Sequence, residues 1–346
     1  MDTPAPDADL LWIDGTDLPL QGRGFADTPS PYHRLPARAQ GVVPDGVWNM
    51  GVHSTGLSFR FRTDSDVLHF RWKVAEENPY DLYMAPVAMT GLDIYGMTPK
   101  GWRFVACAAY RNLDWSTNKM ILGDFHRDWT PNRECLVYLP LRSNVQSFQL
   151  GVRPGSKVEA FPRRRPEITK PVVHYGTSIV HGGCVTRPGL AFANQEGRAH
   201  DLDVINLGFS GRAKMEPAMC DLVADIDASL YIVDCEWNMT VEEEKERYEP
   251  FVRHLAERRP GVPILLCGGC TQLDEPRPQE VYARSVFDKL KAEDPVAWRH
   301  LHFLPSKGML PTEDGEPTYD FCHPNDWGSM HMGRAYAAAI ETILLS

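Results

Sequence analysis

A serine, a histidine and an aspartate in the second half of the chain have the types and spacing needed for acyl-transfer chemistry. Ser178 follows a short apolar run and a Gly-Thr pair, and Asp320 precedes His323 by three residues. A carboxylate at that spacing can accept the imidazole Nδ1–H, which leaves Nε2 free to take a proton from serine. The three residues are therefore a candidate nucleophile, general base and orienting carboxylate.

Two further residues could stabilise the negative oxygen that forms when a serine attacks a carbonyl. Gly208 ends an apolar run in the segment Asn-Leu-Gly-Phe-Ser-Gly, and a glycine there lets its N–H approach a ligand closely. Asn238 follows the next apolar run and could donate from its side-chain amide. Each signal also has an ordinary structural explanation, because serine, asparagine and glycine are common in turns and helix caps.

The elements that must position these residues alternate along the second half of the chain. Apolar runs predict strands at 172–175, 204–207, 230–234, 263–267 and 301–304, and periodic stretches predict helices at about 190–200, 215–227, 241–259, 278–293 and 329–345. This alternation predicts an α/β fold with a doubly wound, flavodoxin-like parallel sheet of five strands. Its ligand site lies at the carboxyl ends of the strands, where all the candidate residues fall.

The first half of the chain has the two-residue period of β-strands. Apolar residues alternate over 57–61 and again over 68–74, with a Thr-Asp-Ser turn between them, which predicts a hairpin with one buried face. Similar runs at 135–141 and 148–152 predict an antiparallel β-sandwich. The proline-rich and charged segment 154–171 then connects two domains, expected at residues 1–160 and 171–346.

Composition excludes several classes of function. A net charge of -10 disfavours nucleic acid as a partner, and no apolar window is long enough for a membrane helix. The acidic N-terminus lacks the features of a secretory signal, and the eight cysteines lack the spacing of a disulfide scaffold, so we expect a cytoplasmic protein. Cys267 and Cys270 form a CxxC pair without a second pair, and neither metal nor cofactor is predicted. Oligomeric state is not predicted.

Taken in order, these segments resemble the conserved blocks of the SGNH, or GDSL, hydrolases. The match is carried by YGTSIVHGG, NLGFSG, the asparagine of DCEWN, and DFCHPND. In the first half, the segment Gly91-Leu92-Asp93-Ile94-Tyr95 resembles the Gly-x-Asp-Leu-Tyr signature of a β-sandwich that precedes the hydrolase domain in one branch of that superfamily. The resemblance implies a jelly-roll type sandwich followed by the catalytic domain.

The resemblance implies roles for the candidate residues. Ser178 would be the nucleophile, His323 the general base and Asp320 its orienting carboxylate. The oxyanion hole would be formed by the Ser178 N–H, the Gly208 N–H and the Asn238 side chain. Two departures stand out, since Thr177 replaces the usual aspartate before the nucleophile and Glu236-Trp237 replaces a more apolar stretch. These three residues are candidates for lining the pocket, as are His181 and Cys184.

The function expected is that of a serine esterase acting through an acyl-enzyme. The expected substrate is a small-molecule or glycan ester, with an O-acetyl group on a sugar as the favoured case, by analogy with related folds alone. An acyltransferase would use the same triad. A glycan-binding protein with a lapsed catalytic site is a second alternative, and an α/β protein with accidental motifs is a third.

Overall fold

The computed structural model describes residues 10–75, 83–108, 120–122, 133–160, 165, 167–311 and 315–345. Ten strands precede the second half of the chain: β1 Leu11–Asp14, β2 Leu20–Gln21, β3 Ser58–Thr63, β4 Leu68–Val74, β5 Leu92–Thr98, β6 Gly101–Ala108, β7 Met120–Leu122, β8 Arg133–Tyr138, β9 Val145–Val152 and β10 Val158–Glu159. Five strands follow: β11 Val172–Gly176, β12 Val204–Gly208, β13 Leu230–Asp234, β14 Ile264–Cys267 and β15 Leu301–Leu304. The helices are α1 Asp45–Gly51, α2 Pro86–Thr90, α3 Ser178–His181, α4 Phe192–His200, α5 Pro217–Asp225, α6 Val241–Arg258, α7 Pro278–Glu293 and α8 Asp326–Leu344.

The first ten strands form two antiparallel sheets that share one core. One sheet has the order β1-β9-β4-β7, and the other has the order β10-β3-β8-β5-β6 with β2 beside β3. Large apolar side chains from both sheets are fully buried between them, among them Phe59, Phe61, Phe70, Trp72 and Phe148. The predicted antiparallel sandwich is confirmed, and burial of these aromatic residues stabilises it.

The predicted hairpin between β3 and β4 is wrong, although both strands exist. β3 pairs with β8 in one sheet, whereas β4 pairs with β7 and β9 in the other. The chain therefore crosses from one sheet to the facing sheet at the predicted turn. Alternation of apolar residues identifies the buried face of a strand but not its hydrogen-bonding partner, and two facing strands show the same pattern as two paired ones.

The last five strands form the predicted parallel sheet. Its order is β12-β11-β13-β14-β15, which is the flavodoxin-like order, and every pairing is parallel. Strands β11 to β14 are buried at every residue, as expected for a sheet covered by helices on both faces. The predicted strands and helices agree with the observed ones to within a few residues. No helix among the described residues is long and apolar enough to span a membrane.

Part of the first half of the chain packs against the parallel sheet rather than inside the sandwich. Phe25, Leu35, Val43 and Val47 belong to the same buried cluster as the side chains of the parallel sheet and its helices. The predicted division at residues 160 and 171 stays a prediction, and the segment between them lies partly outside the described residues. The N-terminal segment that contains α1 thus completes the core on one side of the parallel sheet.

The segment 91–95 also joins the two halves. The Asp93 carboxylate, on β5, accepts hydrogen bonds from the Arg187 guanidinium at 2.6 Å and from the Gly189 N–H at 2.7 Å. The Tyr95 hydroxyl lies 2.7 Å from the same guanidinium. Asp93 is fully buried, and burial raises its pKa above the ordinary value even though these donors oppose the shift. The aspartate and tyrosine of this signature therefore hold the loop that follows α3.

Candidate active site

Ser178 stands at the turn between the first strand of the parallel sheet and the short helix α3. The strand β11 ends at Gly176, and α3 begins at Ser178 with the Thr177 hydroxyl accepting a hydrogen bond from the Ile179 N–H at 3.3 Å. A Cβ on Gly176 would lie 2.5 Å from the Asp234 carbonyl oxygen, so only glycine allows the two strands to approach here. The turn places the serine at the carboxyl end of the sheet.

The loop between β15 and α8 brings a carboxylate onto a histidine. Asp320 Oδ2 lies 2.8 Å from His323 Nδ1, and Asp320 Oδ1 accepts the His323 backbone N–H at 2.7 Å. Phe321 has a φ of 69°, in the left-handed region, which closes the turn between them. Partial burial favours a higher pKa for Asp320, but the hydrogen bonds from His323 outweigh it, so the pKa is lowered below its ordinary value. The carboxylate is ionised at neutral pH.

The histidine connects this carboxylate with the serine. His323 Nε2 lies 2.8 Å from Ser178 Oγ, across 145 positions of the chain. An ionised carboxylate only accepts hydrogen bonds, so Nδ1 carries the proton and Nε2 presents its lone pair to the serine hydroxyl. In this tautomer the histidine can accept the proton of Ser178. The structure thus brings together the three residues of the candidate triad.

A cavity of about 350 Å³ opens at the serine and the histidine. Three of its residues come from the first half of the chain, namely Tyr83, Met84 and Arg142. The others are Ser178, Gly183, Cys184, Ser210, Gly211, Trp237, Asn238, Cys322 and His323. Residues of the first half carry no sequence signal for this role, because only the fold brings them to the pocket. The volume is that of a site for a small ligand.

Gly208 does not present its N–H to the cavity, contrary to the sequence prediction. The Gly208 N–H donates to Asn206 Oδ1 at 2.8 Å, and a Cβ on Gly208 would lie 2.3 Å from the His181 backbone nitrogen. The glycine is required for the close packing of β12 against α3. The sequence does not show that the Gly208 N–H is already bonded. The acceptor is the side chain of Asn206, and its direction depends on the folded structure.

Gly211 and Asn238 do lie at the cavity. Gly211 belongs to the same segment as Gly208, has a φ of 68°, and has open space where a Cβ would stand. Asn238 Oδ1 accepts the Ala213 N–H at 3.2 Å, which leaves its amide N–H groups available as donors. Of the two glycines in this segment, Gly211 borders the cavity, whereas Gly208, the one selected from the sequence, does not.

Of the five residues predicted to line the pocket, two do so. Cys184 and Trp237 border the cavity, and the Arg277 guanidinium stacks on the Trp237 ring at 3.6 Å from its centroid. Thr177, His181 and Glu236 are buried and lie outside the lining, so that prediction is wrong for them. Thr177 caps α3, and the Tyr248 hydroxyl donates to Glu236 Oε1 at 3.3 Å. These residues were selected because they lie next to motif residues in the sequence, and this proximity does not determine the direction of a side chain.

A buried arginine from the first half supports the segment that contains Gly211. Arg34 Nη1 donates to the carbonyl oxygens of Asn206 at 3.0 Å and Gly208 at 2.8 Å, and its guanidinium lies 4.8 Å from the Phe209 ring centroid. Its other nitrogens donate to the carbonyl oxygens of His53 and Met50. Burial lowers the pKa of Arg34 to about 9, so the group is charged at neutral pH.

One group of potential metal ligands occurs among the described residues, and it overlaps the candidate triad. The ligand atoms of Asp320, Cys322 and His323 lie within 4.8 Å of one another. Asp320 and His323 already hydrogen-bond to each other through the atoms that would bind a cation. Cys267 and Cys270, the CxxC pair of the sequence, are both buried free thiols.

Two family descriptions match this chain. Residues 169–341, half of the chain, match the GDSL-like Lipase/Acylhydrolase family, and residues 10–158 match the N-terminus of Esterase_SGNH_hydro-type. The chain shows no match to a curated protein sequence.

Several solved structures match this chain over nearly its whole length. A candidate GDSL-like lipase from Bacteroides ovatus ATCC 8483 has 28% sequence identity and a TM-score of 0.81, with 97% of this chain and 98% of that chain covered. The salicylyl-acyltransferase SsfX3 from a tetracycline biosynthetic pathway has 18% identity and a TM-score of 0.75, with 98% and 99% covered. A family two carbohydrate esterase from Cellvibrio japonicus has 13% identity and a TM-score of 0.58, with 96% and 98% covered. The last two similarities show the fold alone.

Proposed function

The chain belongs to the GDSL-like lipase/acylhydrolase family, and on that premise we propose that it is a serine esterase that removes small O-acyl groups. The observation that carries the proposal is the continuous hydrogen-bonded relay from Asp320 through His323 to Ser178, with 2.8 Å at each of its two links. A glycan-binding protein without catalytic activity does not require this geometry. The relay therefore favours an esterase over the glycan-binding alternative.

The proposed reaction follows the acyl-enzyme path. Ser178 Oγ attacks the ester carbonyl carbon while its proton passes to His323 Nε2. The tetrahedral intermediate collapses, the carrier alcohol leaves with the proton from His323, and the acyl group stays on the serine. A water molecule then attacks the acyl-enzyme carbonyl carbon and gives up a proton to His323. As the bond between the acyl carbon and Ser178 Oγ breaks, His323 returns this proton to Oγ, and the carboxylic acid leaves as the second product. Asp320 keeps the imidazole in its tautomer and stabilises the imidazolium.

Three donors are proposed for the oxyanion hole. The Ser178 N–H lies at the start of α3, where a backbone N–H has no acceptor within the helix. The Asn238 amide and the Gly211 N–H border the same cavity, and Gly211 takes the place that the sequence assigned to Gly208. Because the donors come from three separate loops, their alignment depends on the packing around each loop.

The proposed substrate is an acetyl ester on a sugar or another small carrier. A cavity of about 350 Å³, bordered by the Tyr83 and Trp237 rings, has room for a small acyl group and part of its carrier. Aromatic faces of this kind can pack on a sugar ring. Structures of carbohydrate esterases share the fold, which supports the carrier only by analogy.

The test is hydrolysis of p-nitrophenyl acetate by the parent protein and by Ser178→Ala. We expect the variant to lose at least about 10³-fold in kcat, since it removes the nucleophile. A fluorophosphonate should label the parent at Ser178 and leave the variant unlabelled. Ser285→Ala, an exposed serine on α7, is the matched control and should keep the parent rate. Equal rates for the parent and Ser178→Ala would refute the assignment.

A second assay separates hydrolysis from acyl transfer. Candidate alcohols are added together with an activated acetyl donor, and acetic acid and the new ester are both quantified. The proposal predicts that acetic acid is the main product. An ester yield above the acetic acid yield would identify an acyltransferase that uses the same relay.

A further inference from the structure

The Ser210 hydroxyl borders the cavity, and no step of the proposed reaction uses it. Ser210 lies between Phe209 and Gly211 in the loop after β12 and is half-buried. Its Oγ stands 3.3 Å from His181 Nδ1. A serine hydroxyl can donate one hydrogen bond and accept two, so its role at the cavity depends on where its proton points.

The partners of His181 fix that proton. His181 Nε2 lies 2.9 Å from the Leu141 carbonyl oxygen, which can only accept, so Nε2 carries a hydrogen. The ring is fully buried, and burial together with the nearby Arg34, His53 and Arg142 lowers the pKa of His181 well below its ordinary value. The imidazole is therefore neutral, and Nδ1 has a lone pair but no hydrogen. The Ser210 hydroxyl must donate its proton to Nδ1.

A hydroxyl whose hydrogen is already donated in a hydrogen bond to a neighbour offers only its lone pairs to a ligand. Ser210 Oγ therefore cannot stabilise an oxyanion, which needs donors, and would repel one at close range. It can accept a hydrogen bond from an O–H or N–H group of a bound molecule. The chain thus places a fixed acceptor among the donors proposed for the oxyanion hole.

We propose that Ser210 determines specificity by accepting a hydrogen bond from a hydroxyl group of the carrier alcohol, close to the ester. This inference rests on the proposed function, because an acetyl group contains no O–H or N–H and the donor must then belong to the carrier. The favoured carriers are polyols and sugars with a free hydroxyl beside the acylated oxygen. His181 is a positioning residue that acts through Ser210.

The test compares two esters that differ in one donor. The parent protein is assayed with 2-hydroxyethyl acetate and with 2-methoxyethyl acetate, which keeps the oxygen but lacks its hydrogen. We expect kcat/KM to be about tenfold higher for the hydroxyl compound, the effect of one hydrogen bond. In Ser210→Ala this ratio should fall to about one, and Ser285→Ala should keep the parent ratio. The comparison within the parent tests the inference even if Ser210→Ala does not fold.

Three outcomes would overturn the inference. The first is a parent ratio near one, and the second is a Ser210→Ala variant that keeps the parent ratio. The third arises with methyl hydroxyacetate and methyl methoxyacetate, which carry the same difference on the acyl side. A Ser210-dependent preference within that pair alone would assign the donor to the acyl group. Absence of Ser178-dependent hydrolysis for every ester would instead refute the proposed function, and this inference with it.

Discussion

Asn238 combines two tasks in one side chain. Its amide oxygen accepts the Ala213 N–H, which fixes the orientation of the group, and the residue lines the cavity. A donor held in place before the reaction can stabilise developing charge without the cost of reorientation. The role of this asparagine is therefore expected to show in the chemical step rather than in substrate binding.

Asn238→Ala should lower kcat for p-nitrophenyl acetate by about 10²- to 10³-fold, with little change in KM, because it removes one oxyanion donor. Steady-state kinetics at saturating substrate measure the effect. Asn325→Ala is unsuitable as a control, since Asn325 caps α8. Asn49→Ala, an exposed position on α1 outside the cavity lining, is the better comparison. A variant with lower affinity but unchanged kcat would argue against the oxyanion role.

The hydrogen-bonded relay of Asp320, His323 and Ser178 could be predicted from the sequence, but the glycine that borders the cavity could not. Ser178, Asp320 and His323 each follow an apolar strand, and the rule for parallel sheets places such residues at one edge. The choice between Gly208 and Gly211 depends on which N–H is already bonded. The Asn206 side chain decides this, and its direction is a property of the folded loop.

The segment 206–211, which comprises the end of β12 and the loop after it, is held partly by contacts outside its own half of the chain. Arg34 binds two of its carbonyl oxygens, and Ser210 is linked through His181 to the Leu141 carbonyl. Its own half contributes as well, because the Phe209 N–H donates to the Gly176 carbonyl oxygen at 2.8 Å and the Asn206 side-chain amide donates to the Val180 carbonyl oxygen at 2.7 Å. Its geometry therefore depends on residues of both halves.

Arg34→Met should lower the free energy of unfolding by about 3 kcal/mol or more, because buried carbonyl oxygens lose their donors. The measurement is urea denaturation followed by tryptophan fluorescence. Arg38→Met, in the same segment but with an exposed side chain paired to Asp27 and Asp225, should change it by less than about 1 kcal/mol. Similar losses for the two variants would contradict the supporting role of Arg34.

Strand positions were predictable from sequence, whereas sheet membership in the first half was not. In the parallel sheet, each strand is followed by a helix, and the right-handed crossover leaves few possible orders. In the sandwich, β3 and β4 both bury alternate residues in one core. The same apolar pattern is expected whether the two strands are hydrogen-bonded in one sheet or lie in two sheets that face each other. The hairpin prediction failed for this reason.

At the scale of the whole molecule, the two halves are joined by buried polar contacts. Asp93 binds Arg187 and the Gly189 N–H, and Arg60 of β3 pairs with Asp201 at 2.9 Å. Separating the halves would also expose apolar residues of the first half, such as Leu35 and Val47, that are buried in the core of the parallel sheet. We therefore expect the halves to unfold together.

Asp93→Ala should lower the free energy of unfolding by about 3 to 5 kcal/mol, because it leaves the Arg187 charge without its buried partner. Differential scanning calorimetry should show one transition for the parent. Asp66→Ala, which removes an exposed carboxylate of the sandwich beside Arg153, should have an effect below about 1 kcal/mol. Two separate transitions in the parent would show that the halves are independent.

The N-terminal segment beside the parallel sheet has a consequence for synthesis. Phe25, Leu35, Val43 and Val47 leave the ribosome early, but the strands and helices that cover them follow more than a hundred positions later. At translation rates of about 5–20 residues per second, these side chains wait on the order of ten seconds or longer for their partners. During that time the nascent chain exposes an apolar segment, and it is there that a chaperone would bind it.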